Sequence, residues 1–256
     1  MRTKVSAAAA AVLVVAGCGS GAGDGGSAAP PEERTLTVFA AASLTEAFGR
    51  LEPQFEQARP GVDVVSNFGA SSDLAQQIVN GGPADVFAAA NTSTMQTVVD
   101  AGLVDGEPAV FATNVLEIVT PPGNPAGVTS FADLARPDLQ VVVCAPQVPC
   151  GSATERIEQA TGVTLSPVSE EPDVKSTLAK VTSGNADAGL VYATDVAAAG
   201  DDVQGIEFPE AAQAVNDYPI AVIADAPSAD LAREFQEFVA GADGRAALGA
   251  AGFGSP

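Results

Sequence analysis

Two short segments carry residue types able to hold an anion. In Val38-Phe39-Ala40-Ala41-Ala42-Ser43-Leu44-Thr45-Glu46 and in Asn67-Phe68-Gly69-Ala70-Ser71-Ser72-Asp73-Leu74, a strand-like apolar run ends in small residues. A serine then opens a helical pattern. A helix start exposes backbone N–H groups and the positive end of the peptide dipole. Small residues beside it let an anion approach closely, and a hydroxyl adds a donor. Two such corners predict a site that encloses an oxyanion without a charged side chain. Each serine also has a plainer reading: Ser43-x-x-Glu46 fits a capping box, and Ser71 and Ser72 suit simple N-caps.

Three further places could contribute. Pro149-Cys150-Gly151-Ser152-Ala153-Thr154-Glu155 reads as a turn entering a helix, with Ser152 and Glu155 spaced for another cap. Asp173 is placed to cap a helix that begins at Val174. Tyr192 ends the apolar run Ala188–Tyr192, and its O–H needs a partner if buried. Other chemistry is missing. The chain has no His, which removes Ser–His and Cys–His nucleophiles. No Gly-x-Ser-x-Gly elbow, P-loop or dinucleotide fingerprint stands where it would work. The acids are scattered over helix faces and turns, as a solvated surface requires. Nothing calls for an enzyme, a cofactor or a direct metal ligand.

The elements that must position these residues alternate. Strand patterns cover Thr35–Ala42, Asp63–Phe68, Asp85–Ala89, Leu116–Thr120, Gln140–Cys144, Ala188–Tyr192 and Tyr218–Ile223. Helical patterns cover Leu44–Ala58, about Ser72 to Asn80, Thr92–Ala101, Phe131–Ala135, Ala153–Thr161, Val174–Ser183, Ser228–Val239 and a short piece near Gly244–Leu248. This is the α/β signature of parallel sheets covered by helices, and the run is long enough for two sheets. Ligands of such sheets sit at the carboxyl ends of strands, where both opening serines fall.

Residues 1–17 read as a signal peptide: Arg2 and Lys4 precede an apolar run, Val5 to Gly17, too short to span a bilayer. Val15-Ala16-Gly17-Cys18 resembles a lipobox, which implies cleavage before Cys18 and a diacylglycerol on its sulfur. Residues 18–34 then form a Gly/Ser/Ala/Pro-rich leash. The expected location is the outer face of the cell membrane, held by lipid. The formal charge is −21; losing Arg2 and Lys4 leaves 9 basic against 32 acidic residues, or −23. Such a surface repels nucleic acid. It also fails to steer an anion, so a binding site must rely on local donors. In an exported protein Cys144 and Cys150 pair by default, and no His is present to complete a metal site with them.

The series Thr37–Thr45, Val62–Phe68 with Ser71-Ser72-Asp73-Leu74-Ala75, Pro83–Phe87, Val148–Gly151, Asp173-Val174-Lys175, Gly189–Tyr192, Tyr218–Val222 and Gly252-Phe253 resembles the molybdate-binding proteins of bacterial molybdate ABC transporters. The likeness runs from about residue 35 to the C-terminus. It implies a two-lobed periplasmic-binding-protein fold of type II, with two strand crossovers between the lobes. Lobe I is expected at 35–115 and 217–256 and lobe II at 116–216, with crossings near Asn114–Leu116 and Asn216–Tyr218. It implies a monomeric receptor that takes molybdate or tungstate and passes it to a permease. The ligand contacts it implies are Ser43 and Ser71 by hydroxyl and N–H, Cys150 and Val174 by backbone N–H, and Tyr192 by its O–H. Cys150 departs from the alanine common in that family, and Cys144 stands where glycine is familiar. The alternatives are a receptor for another oxyanion such as sulfate, or a non-transport surface protein on the same fold.

Overall fold

The computed structural model describes residues 33–256. The signal peptide, Cys18 and nearly all of the leash lie outside the described residues. Apolar strands and amphipathic helices follow one another as the sequence pattern predicts. The chain runs β1 (Arg34–Ala41), α1 (Thr45–Ala58), β2 (Val62–Gly69), α2 (Ser71–Val79), β3 (Val86–Ala88), α3 (Thr92–Asp100) and β4 (Val104–Asn114). It continues through β5 (Leu116–Thr120), β6 (Val141–Cys144), α4 (Pro149–Thr161), β7 (Ser169–Glu171), α5 (Val174–Thr182), β8 (Ala188–Tyr192), α6 (Ala193–Ala199) and β9 (Gln204–Ile206). It closes with β10 (Asn216–Ile223), α7 (Ala229–Ala240) and α8 (Ala242–Ala250).

The strands make two five-stranded sheets, ordered β2-β1-β3-β10-β4 and β7-β6-β8-β5-β9. In each, three strands are parallel neighbours; the fourth (β10 or β5) runs antiparallel to them, and the edge strand (β4 or β9) pairs antiparallel with that fourth strand and so runs with the first three. The chain passes between the sheets twice. Val115 alone separates β4 from β5, and the second passage ends at Asn216, already paired with Asn114 across β10 and β4. This is the two-lobed α/β fold with two crossovers.

Packing follows from helix stripes. Ala47, Phe48, Leu51 and Phe55 put the buried face of α1 on the first sheet, and Leu231, Ala232, Phe235 and Val239 do the same for α7. Phe48, Phe55 and Phe235 meet edge-on, at 5.9 Å and 5.1 Å between ring centroids. The opposite face is covered by α2 and α3 through Leu74, Ile78, Met95 and Val98. Asp85, buried at the start of β3, accepts N–H bonds from Thr37 at 2.8 Å and Ser228 at 3.0 Å, so its carboxylate ties β3 to β1 and to the entry of α7. Ala42 and Ala70, at the corners of the first lobe, pack into the apolar cluster of the second. The lobes therefore meet through small residues.

Four differences from the sequence pattern have physical causes. Strand β4, with Gly106 and Pro108, reads as a loop, yet it pairs along β10 at a sheet edge where proline and glycine are tolerated. Strands β7 and β9 are three residues each, too short to show a period. Helix α6 follows β8 without a break. Helix α4 begins at Pro149, four residues before the expected Ala153, because proline is well suited to the first helical position.

Candidate functional site: a closed cavity at four helix starts

Each corner places its serine differently from the capping prediction. After β1, Ala42–Leu44 form a 3-10 turn that leads into α1, and no side chain caps the turn or the helix. The Ser43 hydroxyl instead bonds the Tyr218 hydroxyl at 2.9 Å. Glu46 reaches across the lobes to Lys175, at 2.7 Å and 2.8 Å from Nζ. The predicted capping box is thus not made. At the second corner the N-cap is Ala70, and Ser71 is the first helical residue rather than the cap. Its hydroxyl oxygen accepts from the Ala90 N–H at 3.0 Å. Ser72 caps nothing either; its buried hydroxyl has no partner among the described residues.

In the second lobe, α4 presents Pro149 and Cys150 in its first turn, with Val148 as N-cap. Ser152 lies inside the helix, so the expected Ser152-Glu155 cap is corrected. Gly151 makes this close fit possible: a Cβ there would come within 1.9 Å of the Ala145 carbonyl oxygen. The disulfide Cys144–Cys150, with 5.7 Å between Cα atoms, joins the end of β6 to the first turn of α4. Asp173 caps α5 as predicted, its carboxylate accepting from the Ser176 N–H at 2.8 Å. Val174 is then the first residue of that helix.

These four starts border one cavity. Its wall includes Ala41, Ala42 and Ser43, Gly69, Ala70 and Ser71, Ala90, Val148 to Cys150, Asp173 and Val174, and Tyr192. The five residues singled out as ligand contacts, Ser43, Ser71, Cys150, Val174 and Tyr192, all stand on it, each at most 4% exposed. The lobes are therefore shut over the hollow. The hollow has a volume of about 20 Å³, far too small for an organic solute. The N–H groups of a first helical turn have no partner within their helix. Four such turns, with three hydroxyls, make a wall rich in donors. The one carboxylate on it, Asp173, is engaged with its own helix.

Residues not singled out in the sequence hold the site in shape. Asn216 is buried at the second passage and donates to the Tyr192 hydroxyl at 2.7 Å and to the Ala90 carbonyl at 2.8 Å. Arg156 of α4 donates to its side-chain oxygen. At the first passage Asn114 donates to the Thr194 hydroxyl at 2.8 Å. The only signal for the two asparagines in the sequence is their place at the two crossings, which says nothing of these partners. Lys175 also pairs with the fully buried Asp195 at 2.9 Å, and the Asp195 carboxylate accepts the Tyr192 N–H at 3.2 Å. Burial opposes the charge on Lys175, yet Asp195 and Glu46 outweigh it and raise its pKa. Burial pushes the Tyr192 phenol far above its ordinary range, so it is a neutral O–H at any physiological pH.

Two hinged α/β lobes enclosing a small donor-lined cavity define a binding protein for a small solute. The model of the bacterial extracellular solute-binding protein family matches residues 36–254, and the chain belongs to that family. It is 52% identical over 223 residues to the molybdate-binding protein ModA of Mycobacterium tuberculosis, which covers 87% of this chain and 85% of that protein. Its fold matches the periplasmic molybdate-binding protein of Azotobacter vinelandii with a TM-score of 0.75 at 24% identity, over 86% of this chain and 99% of that one. The sulfate-binding protein SubI of Mycobacterium tuberculosis also matches at 0.75, with 21% identity and 86% of each chain covered. At those identities the two structures speak for the fold alone.

Proposed function

We propose that this protein captures molybdate, and tungstate with it, between its lobes and delivers the anion to an ABC permease. The observation that carries this reading is the convergence of four helix starts and three hydroxyls on one closed cavity. Molybdate at neutral pH is a fully deprotonated dianion with four acceptor oxygens and no proton to give. The contacts we assign are the hydroxyls and N–H groups of Ser43 and Ser71, the N–H groups of Cys150 and Val174, and the O–H of Tyr192. A hydrogen bond to a charged partner contributes about 1.5–3 kcal/mol, and several together offset the dehydration of the anion. The 52% identity to a protein named for molybdate supports the choice of anion. We read the site as non-catalytic, and the chain as a monomer tethered to the outer membrane face by lipid on Cys18.

Sulfate presents the same charge and acceptors in a smaller shell, and a donor-only wall suits it too. Melting the purified protein with each anion separates the two. Molybdate and tungstate at 100 times their Kd are expected to stabilise it by about 2.7 kcal/mol, and sulfate at the same concentration far less. Equal shifts for all three anions would refute selection for the larger oxides.

A further inference from the structure

We propose that Asn216 is a positioning residue: held by Arg156, it turns the Tyr192 O–H bond toward the cavity and so makes Tyr192 a hydrogen-bond donor to the anion. The inference rests on the oxyanion reading of the site and adds to it a cause for one donor's direction.

A phenol hydroxyl can donate or accept, and a wall that serves a bare dianion needs it to donate. What decides is the partner behind it. Asn216 is 1% exposed, and its side chain meets four groups, the Pro149 carbonyl oxygen at 3.5 Å from Nδ2 being the most distant of its acceptors. Its Oδ1 faces the Arg156 guanidinium, which has only donors. Its Nδ2 faces the Ala90 carbonyl oxygen at 2.8 Å, which has only acceptors. Turning the amide over would set N–H against guanidinium and oxygen against oxygen. Both neighbours therefore demand the same orientation. Arg156 is itself anchored to the passage, with 3.4 Å contacts to the carbonyls of Ala214 and Val215.

With the amide so held, Nδ2 donates its second hydrogen to the Tyr192 oxygen at 2.7 Å. That oxygen acts as acceptor on the Asn216 side, so its own proton must leave in another direction. Tyr192 stands on the cavity wall. The neighbouring Tyr218 hydroxyl offers the proton a neutral acceptor within the protein. An anion's oxygen is a stronger one, since charge-assisted hydrogen bonds are roughly twice as strong as neutral ones.

The test is a double-mutant cycle on the purified chain, with molybdate as the probe. Wild type, Asn216→Ala, Tyr192→Phe and the double variant are titrated, and each is melted without ligand to establish that it is folded. Asn216→Ala is expected to weaken binding about tenfold when Tyr192 is present, one directed hydrogen bond, and less than about twofold in the Tyr192→Phe background. Should Asn216→Ala not fold, Asn216→Ser takes its place in the same cycle. An equal loss in both backgrounds would make Asn216 a scaffold residue and overturn the proposal while leaving the oxyanion site standing. Failure of the unaltered chain to bind molybdate would instead remove the site reading, and this proposal with it.

Discussion

Ser43 shows how one side chain can satisfy a local motif on paper and serve a distant partner in the fold. Its spacing to Glu46 is that of a capping box, but Tyr218, 175 residues away, takes its hydroxyl, and Lys175 takes Glu46. The competing partners come from tertiary packing, which no local window contains. Asp173 kept its predicted role because its partner, Ser176, is only three residues on and comes with the helix itself. The corners themselves were legible, since small residues before a serine survive as a pattern whatever the hydroxyl does. Asn216 and Arg156 were not legible, because their role exists only once α4 and the second passage are side by side. At this scale the account predicts that Ser43→Ala and Tyr192→Phe each weaken molybdate binding by about 10- to 100-fold, the loss of one charge-assisted bond. Titration calorimetry at fixed pH measures both; unchanged Kd in either variant takes that residue out of the site.

Helix starts are the working elements, and what holds them differs between lobes. The first turn of α4 is fastened by the Cys144–Cys150 disulfide and by the contact that only Gly151 permits. For so short a loop the chain-entropy estimate is about 2–2.5 kcal/mol, so Cys144→Ser is expected to lower stability by about that amount in urea melts; no change would mean that the pair is not formed. The start of α5 is fastened to α1 by Lys175, which lies between Glu46 of the opposite lobe and Asp195 of its own. The two pairs are unequal. Glu46 is 41% exposed, and such a pair contributes at most about 1 kcal/mol. Glu46→Gln is therefore expected to speed anion release only about 2- to 5-fold, visible in stopped-flow dissociation. Asp195 is fully buried, so Lys175→Met strands its charge at a cost of about 3–5 kcal/mol. Denaturant titration of both variants checks the contrast: equal losses would mean that the buried pair does not matter more than the interlobe one. Elements with a long apolar period were readable in the sequence. Strand β4 was not, since its Gly106, Pro108 and acids carry loop chemistry and only its pairing with β10 makes it a strand.

For the whole molecule, two sheets and two passages give a hinge whose closure hides the cavity; alternation of strand and helix patterns was enough to foresee the two sheets, whereas the two lobes and their crossovers followed from the family resemblance. The acidic surface has one consequence inside the second lobe. The Glu117 carboxyl is half-buried and tucked against Gly205, where a Cβ would meet its oxygen at 2.1 Å. Burial, with Glu207 nearby adding to it, raises its pKa from 4.5 to about 7. The folded state then holds a proton that the unfolded chain releases at lower pH, so stability falls as pH rises from about 4.5 through 7. Glu117→Gln removes that fall: its melting temperature is expected to exceed wild type at pH 8, with the gap closing toward pH 4.5. A gap that does not change with pH would contradict the shift. The central claim, that neutral dipoles of both lobes clasp a doubly charged tetrahedral oxide, is tested most directly by a crystal structure with molybdate and anomalous diffraction at the molybdenum edge. The account predicts one strong peak in the cavity, within hydrogen-bond reach, through its oxygens, of Ser43, Ser71, Cys150, Val174 and Tyr192. A peak elsewhere, or an anion held by Lys or Arg side chains, would contradict it.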